Sequence, residues 1–177
     1  MIDEIIKKRI LFDKEKDACF LTYNILIILD FYKCYSIDSP FIDYRKLTYL
    51  IDFVSSDILV SILQKEQILS DGDKIILQNS YNNASARQNR IFLVLRALKR
   101  NGIIELFLDS EKPYKNSLYL IQSDKTKSIT NKKLFTYEYS NLKHFNSVND
   151  INRVRLIKIT TLLQKIYGSR GIKIWEF

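Results

Sequence analysis

The sequence predicts an α+β fold that is mostly helical: a winged-helix-like domain with a two- to three-stranded wing and extra N- and C-terminal helical elements. Three observations predict it. Residues 86–101 repeat apolar side chains at helical spacing, and Gly102 follows at the position where helices commonly end. Two β-rich runs, 103–108 and 117–121, come next, separated by a turn-forming stretch that ends in Pro113. A helix followed by a glycine and a hairpin is the order found in winged helices.

The composition is typical of a folded chain rich in helices. The 177 residues are 46% hydrophobic and 27% charged, with only 4 glycines and 2 prolines. Two cysteines, Cys19 and Cys34, and a single histidine, His144, leave no metal-binding pattern and indicate a reducing compartment. The start of the chain has no signal-peptide pattern, and no apolar run approaches eighteen residues. We therefore expect a cytoplasmic protein without a membrane partner.

Four regions are predicted to form a single compact unit. They are an amphipathic N-terminal arm at 1–16, the winged-helix-like domain at 17–122, a basic loop and extended connection at 123–149, and a C-terminal helix with a strand-like tail at 150–177. The tail alternates apolar residues on both faces, so we expect it to be bound to a sheet or to a partner. In the fourth region, Asp150 is the predicted cap of a long helix that reaches Tyr167.

Three helices are predicted before the helix that leads into the wing. The first, about 17–34, is apolar on most faces and is expected to be central; the second runs from Tyr44 to about Ser55 after a cap at Asp43. A short helix capped by Ser56 or Asp57 follows. The residues 71–73, Asp-Gly-Asp, indicate a break, with a short strand at 74–78 and a polar connection at 79–83. The helix before the wing is then predicted to start after Ser85.

Charge is distributed unevenly along the chain. Residues 1–84 carry a net charge of −3, residues 85–133 a net charge of +7, and residues 143–177 a net charge of +5. The basic surface is therefore expected on the helix that precedes the wing, on the wing and at the C-terminal end. These parts are candidates for facing phosphates or an acidic protein.

The candidate contact residues follow from this charge pattern. At 100° per residue, Asn89, Arg96, Lys99 and Arg100 share the polar side of the helix, opposite a buried stripe of Ile91, Val94, Leu95 and Leu98. Arg87 and Arg90 lie at its predicted N-terminal end, where the helix dipole disfavours cations, so an anionic partner explains them better than folding does. The predicted wing tip adds Lys112 and Lys115. A solvated surface, phosphate contacts and a protein interface all remain open for this basic set.

Apolar side chains near both ends of the chain form a second candidate surface. We expect partner docking through Ile6, Ile10, Phe12, Trp175 and Phe177.

No catalytic pattern is present in the sequence. The four glycines form neither a phosphate-binding loop nor a dinucleotide-binding fingerprint. Most acidic residues fall at predicted helix caps or turns, where capping explains them. We therefore predict a binding protein that is not an enzyme and that uses no cofactor or metal.

The order of elements resembles the small middle component of bacterial ABC-three-component systems, which include Lamassu-type defence systems against phages and plasmids. The resemblance covers residues 20 to 165: an apolar helix at 24–35, the segment 42–53, an arginine-bearing helix at 87–101, and Gly102-Ile103-Ile104-Glu105 leading into the wing. It implies a non-catalytic subunit that binds an SMC-like ABC ATPase near its head domains and links it to a nuclease effector in DNA sensing.

The residues alone leave an alternative open. The +7 segment equally suits a free-standing winged-helix protein that binds duplex DNA, such as a transcription regulator or a plasmid replication protein.

Overall fold

The computed structural model describes residues 17–65, 68–111, 115–148, 151 and 153–175. The predicted arm at 1–16, with Ile6, Ile10 and Phe12, lies outside the described residues, as do Lys112, Asp150 and Phe177. The described part is α+β and mostly helical, as predicted. The helices are α1 (Ala18–Phe31), α2 (Leu47–Ser55), α3 (Asp57–Gln64), α4 (Asp71–Arg100), α5 (Asp124–Ile129), α6 (Thr136–Ser147) and α7 (Ile159–Ile166). The strands are β1 (Phe41–Ile42), β2 (Ile104–Phe107) and β3 (Ser117–Leu120).

Helix α1 occupies the centre of the core. Asp17 caps it, with Oδ1 accepting hydrogen bonds from the backbone N–H groups of Cys19 at 2.8 Å and Phe20 at 3.2 Å. Leu21 and residues 24–29 are all buried, including consecutive residues that point to different faces of the helix. A helix that is apolar on all sides is stable only when other elements surround it. The prediction of a central first helix is confirmed.

Helices α2 and α3 begin at the predicted caps. Asp43 caps a 3-10 turn, Tyr44–Lys46, that leads into α2, and the hydroxyl of Ser56 accepts from the N–H of Leu59 at the start of α3. The two segments meet at an angle of 97°. Within the described residues no single helix is long and apolar enough to cross a membrane, although this bent pair meets the length and composition limits together.

Helix α4 starts fifteen residues earlier than the sequence indicates. The predicted break at 71–73, strand at 74–78 and connection at 79–83 are wrong, because all of these residues are helical. Ser70 and Asp73 form a capping box, in which each side chain binds the other residue's backbone N–H. Asp71 and Asp73 therefore lie in the first turn of the helix, where both complement its dipole, and Asp73 also belongs to the capping box. The 30 residues give α4 a length of about 45 Å.

Gly102 ends α4 as predicted. Its φ of +65° lies in the left-handed region that favours glycine. The N–H of Gly102 donates to the carbonyl of Lys99 and the N–H of Ile103 donates to the carbonyl of Leu98, each at 3.0 Å. These two bonds satisfy carbonyls that the end of the helix leaves open and turn the chain directly into β2.

The sheet is antiparallel, with the strand order β1-β3-β2. The predicted hairpin is confirmed: Ile104 pairs with Leu120, and Leu106 pairs with Leu118. The third strand, β1, comes from the connection between α1 and α2 and pairs Phe41 with Leu118. Beyond β1, the N–H of Ile42 donates to the carbonyl of Arg155 at 3.0 Å. The segment 153–157 therefore covers the outer edge of β1.

The predictions for the C-terminal third are partly wrong. Residues 123–149 were expected to form a loop and an extended connection, but α5 and α6 occupy most of this region. The described lysines of this region are exposed, while Thr126, Leu142 and Phe145 are buried. The two helices are therefore amphipathic, although the composition of the region is polar. The predicted long helix at 151–167 shortens to α7, because Arg153 adopts a φ of +61° that interrupts helical structure. The tail forms no strand over the described residues 171–175.

A buried polar network joins α2, α4 and the residue after α7. Arg87 forms an ion pair with Asp52, with 2.7 Å between Nη2 and Oδ1, and its Nη1 donates to the carbonyl of Thr48 at 3.1 Å. The hydroxyl of Ser80 donates to the other carboxylate oxygen at 2.8 Å and lies 3.1 Å from the hydroxyl of Tyr167. Because both charges are buried, each one depends on the other for compensation.

Lys46 is the second cation in the core. Its Nζ donates to the carbonyls of Val154 at 2.7 Å, Arg155 at 3.1 Å and Ile157 at 2.9 Å, and it lies 4.8 Å from the centre of the Phe41 ring. This ammonium group ties the segment 153–157 to the start of α2. Burial lowers the pKa of Lys46 to about 7, although nearby Asp43 and Cys34 act in the opposite direction.

Replacing Arg87 by Leu should destabilise the fold by about 3–5 kcal/mol, because the substitution removes the main partner of a buried carboxylate. Urea unfolding monitored by circular dichroism measures the change. The double variant Arg87→Leu with Asp52→Leu should lose less than the sum of the two single variants. Arg100→Leu, on the exposed face of the same helix, is the matched control and should change stability by less than about 0.5 kcal/mol. Strict additivity of the two core substitutions would contradict the coupling.

The stability contribution of Lys46 should rise with pH. The ordinary lysine pKa is 10.5, so between about pH 7 and this value the unfolded chain binds more protons than the folded chain. Relative to Lys46→Met, the free energy of unfolding of the wild type should therefore increase by about 1 kcal/mol per pH unit above pH 7. Urea titrations of both proteins at several pH values test this. Equal pH dependence of the two proteins would refute it.

Candidate interaction surface

The C-terminal half of α4 has one buried side and one exposed side. Ile91, Leu95 and Leu98 are buried as predicted, and Val94 is half-buried. The opposite side carries Asn89, Leu93, Arg96 and Arg100, all of which are exposed; these four residues are called the α4 stripe below. Their spacings of four, three and four residues place them in one line along the helix. The stripe is thus a direct consequence of which side of α4 packs on the core.

An aromatic pair supports the stripe from one side. Phe92 stacks on Tyr44 with 5.8 Å between ring centres, and the guanidinium carbon of Arg96 lies 5.9 Å from the centre of the Phe92 ring. This cation–π contact leaves Arg96 exposed while restricting where its guanidinium group lies. Leu93, in the middle of the stripe, is 63% exposed.

Lys99 connects α4 to the hairpin. Lys99 is exposed on α4, next to Arg100 in the chain. Its ammonium group donates to the carbonyl of Leu106 in β2 at 2.7 Å. At the end of the same strand, Phe107 and Leu108 are exposed, and the Phe107 ring lies 6.1 Å from that of Tyr119. The hairpin therefore exposes apolar area of its own at the end of β2.

Arg87 requires a correction. It was expected at the helix surface with an anionic partner, but its side chain is 1% exposed and pairs with Asp52 inside the core. The helix starts at Asp71, so Arg87 lies in mid-helix, on the same side as Ala84 and Ile91. Its anionic partner is a carboxylate of this chain. Arg90 is half-buried, one residue before the buried Ile91.

Lys115 is exposed. It lines a cleft of about 380 Å³ together with Ile42, Leu156 and Lys158, and no described residue of α4 lines this cleft.

Trp175 is 61% exposed, as a docking residue would be, but its backbone is held in place. Its N–H donates to the hydroxyl of Tyr81 in α4 at 3.0 Å, and the ammonium group of Lys173 lies 4.4 Å from its ring. Ile172 is buried, so the described part of the tail packs against the body of the protein.

A second basic site was not predicted from the sequence. Lys33, Arg153 and Arg155 line a depression of about 420 Å³. Lys33 is more than a hundred positions from the two arginines in the chain, and the only hint was the net charge of +5 in residues 143–177. Pro40 and Leu156 extend the surface from this depression toward the cleft that contains Lys115, and Leu156 lines both.

In the described ranges no group of three or more His, Cys, Asp or Glu side chains is arranged to hold a metal ion. Comparison with protein-family models, with curated proteins and with solved structures finds no match for this chain.

Proposed function

We propose that this chain is a winged-helix accessory subunit that docks on an SMC-like ABC ATPase and couples it to a nuclease effector. The observation that carries the proposal is the α4 stripe, in which an exposed leucine is followed by two exposed arginines along one face of the helix. In this proposal the protein acts in the cytoplasm, contributes no catalytic residue, and serves in DNA sensing and defence against phages or plasmids.

The topology supports a winged-helix assignment. The elements follow the order α1, β1, α2, α3, α4, β2, β3, and β3 lies between the other two strands. In winged helices the first strand likewise comes from between the first two helices and pairs with the last strand of the wing. The additional helix α3 and the 30-residue length of α4 are departures from the small form of this fold.

The composition of the surface favours a protein partner over a nucleic acid. Arginine and large apolar residues are enriched in protein interfaces, and Leu93, Phe107 and Leu108 are all exposed here. A surface that only contacted phosphates would gain nothing from these apolar side chains. An acidic patch with apolar residues on the head of an ATPase would complement both features. The resemblance of the element order to the middle components of ABC-three-component systems points to the same partner.

The double variant Leu93→Asp with Arg96→Glu should abolish complex formation with an SMC-like ATPase encoded beside this chain. The variant places two acids at the centre of the stripe without touching the core, so the melting temperature should remain unchanged. Co-expression followed by gel filtration measures the loss of co-elution. The expected cost is at least about 3 kcal/mol, since central interface substitutions of this kind dominate binding energy.

Lys125→Glu with Lys127→Glu is the matched control, because it reverses two exposed charges on α5 and leaves α4 intact. This control should still co-elute. Wild-type protein that never co-elutes with the neighbouring ATPase would refute the proposed function. Loss of co-elution in the control as well would show that net charge, and not the stripe, governs association.

A free-standing DNA-binding protein is the second candidate, and the alignment of Asn89, Arg96 and Arg100 favours it. If it is correct, affinity for duplex DNA falls steeply with salt, with log K decreasing by about 0.9 per log unit of salt for each phosphate contacted. Arg96→Glu with Arg100→Glu should then weaken binding and reduce the salt dependence of log K by the amount that corresponds to about two phosphate contacts. Fluorescence anisotropy with labelled duplexes measures both quantities. A wild-type protein that shows no duplex binding at low salt eliminates this candidate.

A further inference from the structure

The depression beside the end of α1 is formed by two segments far apart in the chain. Residues 32–39, which connect α1 to β1, form one side, and residues 153–156 form the other. The lining residues with polar groups are Tyr32, Lys33, Ser39, Asn146, Arg153 and Arg155. The volume of about 420 Å³ lies within the range that small-molecule sites occupy.

The charge of the lining is of one sign. Lys33, Arg153 and Arg155 contribute three cations, and none of the described lining residues is acidic. None of these three cations forms an ion pair within the described ranges. Cations that converge on one concave site repel each other unless an anion lies between them. The asparagine amide adds a neutral donor of the kind that binds anionic oxygens, while the hydroxyl of Ser39 already donates to the carbonyl of Lys33 at 3.3 Å.

Tyr32 also lines the depression. Its hydroxyl is buried and has no hydrogen-bond partner among the described residues, and burial raises the pKa of this hydroxyl above its usual range. The three cations are exposed or half-buried, so they are the groups that a ligand in the depression reaches.

The backbone on both sides of the depression is held in unusual conformations. Lys33 and Arg153 have φ values of +53° and +61°, in the left-handed region that side chains of this kind rarely adopt. The second segment is fixed by the bonds from Lys46 to three of its carbonyls. At Lys33 this conformation ends α1, as Gly102 ends α4, because the N–H of Cys34 donates to the carbonyl of Leu29 at 2.9 Å. The backbone that carries Lys33 is therefore fixed by a helix end, and the backbone that carries the two arginines is fixed by Lys46.

We propose that this depression binds a phosphate group, with Arg153, Arg155 and Lys33 pairing with its oxygens. The phosphate is carried either by a free mononucleotide or by the 5′ end of a DNA strand. Guanidinium groups bind phosphate oxygens through charge-assisted, bidentate hydrogen bonds, which accounts for the two arginines. The site is separate from the α4 stripe, so it stands whether or not the proposed function is correct.

The test measures the melting temperature of the full chain with millimolar sodium phosphate, AMP, or a short oligodeoxynucleotide carrying a 5′-phosphate, at constant ionic strength. A ligand that binds only the folded state raises the melting temperature. We expect a rise with phosphate, and a larger rise with whichever carrier fits. A response to AMP alone identifies a free nucleotide, and a response to the 5′-phosphorylated strand alone identifies a strand end.

Arg153→Gln with Arg155→Gln should weaken the affinity for the responding probe by roughly tenfold or more, as measured by titration calorimetry. Arg96→Gln with Arg100→Gln removes the same charge from α4 and should leave that affinity unchanged. Tyr32→Phe should raise the melting temperature without ligand by about 2–4 °C, because it removes an unpaired buried hydroxyl, and should leave the affinity for phosphate unchanged.

Three results would overturn the proposal. The first is the absence of a thermal response to every phosphate-bearing probe. The second is an equal response to adenosine or to the same strand with a 5′-hydroxyl, which would show that the phosphate is not recognised. The third is unchanged affinity in the Arg153→Gln, Arg155→Gln variant.

Discussion

The ion pair between Arg87 and Asp52 fixes how α4 lies on the core. The guanidinium group points inward between the positions of Ala84 and Ile91 and also reaches the carbonyl of Thr48 in α2. Once this side of the helix faces inward, the helical period leaves Asn89, Leu93, Arg96 and Arg100 on the outside. The same carboxylate accepts from Ser80, whose hydroxyl lies beside Tyr167. One buried pair therefore sets both the exposed stripe and the closure of the C-terminal segment over the core.

Much of the fold could be predicted because local chemistry agrees with the final structure. Asp17, Asp43 and Ser56 act as the caps that their residue types indicate, and Gly102 ends α4 in the left-handed conformation. The start of α4 was missed because Asp-Gly-Asp is equally common in turns, and the capping box depends on Ser70, which precedes it. The interruption at Arg153 could not be foreseen, because tertiary bonds from Lys46 and not local preference hold that turn.

The candidate surfaces also include features that could be predicted from the sequence and features that could not. The exposed positions of Arg96 and Arg100 followed from helical periodicity alone, whereas Arg87 was misplaced because the predicted helix was too short. An acid within the apolar run 50–54 was the available signal, since Asp52 is buried and a buried carboxylate needs a cationic partner. The grouping of Lys33 with Arg153 and Arg155 depends on chain folding, and a single sequence carries no information about such distant pairs.

The small sheet is protected at both of its outer edges. The N–H of Ile42 on β1 is occupied by the carbonyl of Arg155, and the outward carbonyl of Leu106 on β2 is occupied by the ammonium group of Lys99. Unpaired strand edges are templates on which further strands can add, and a lysine at the edge is one of the devices that prevents this. The side chains of Phe107 and Leu108 are exposed and can contact other molecules. The covered edges at the same time hinder the addition of strands from further copies of the chain.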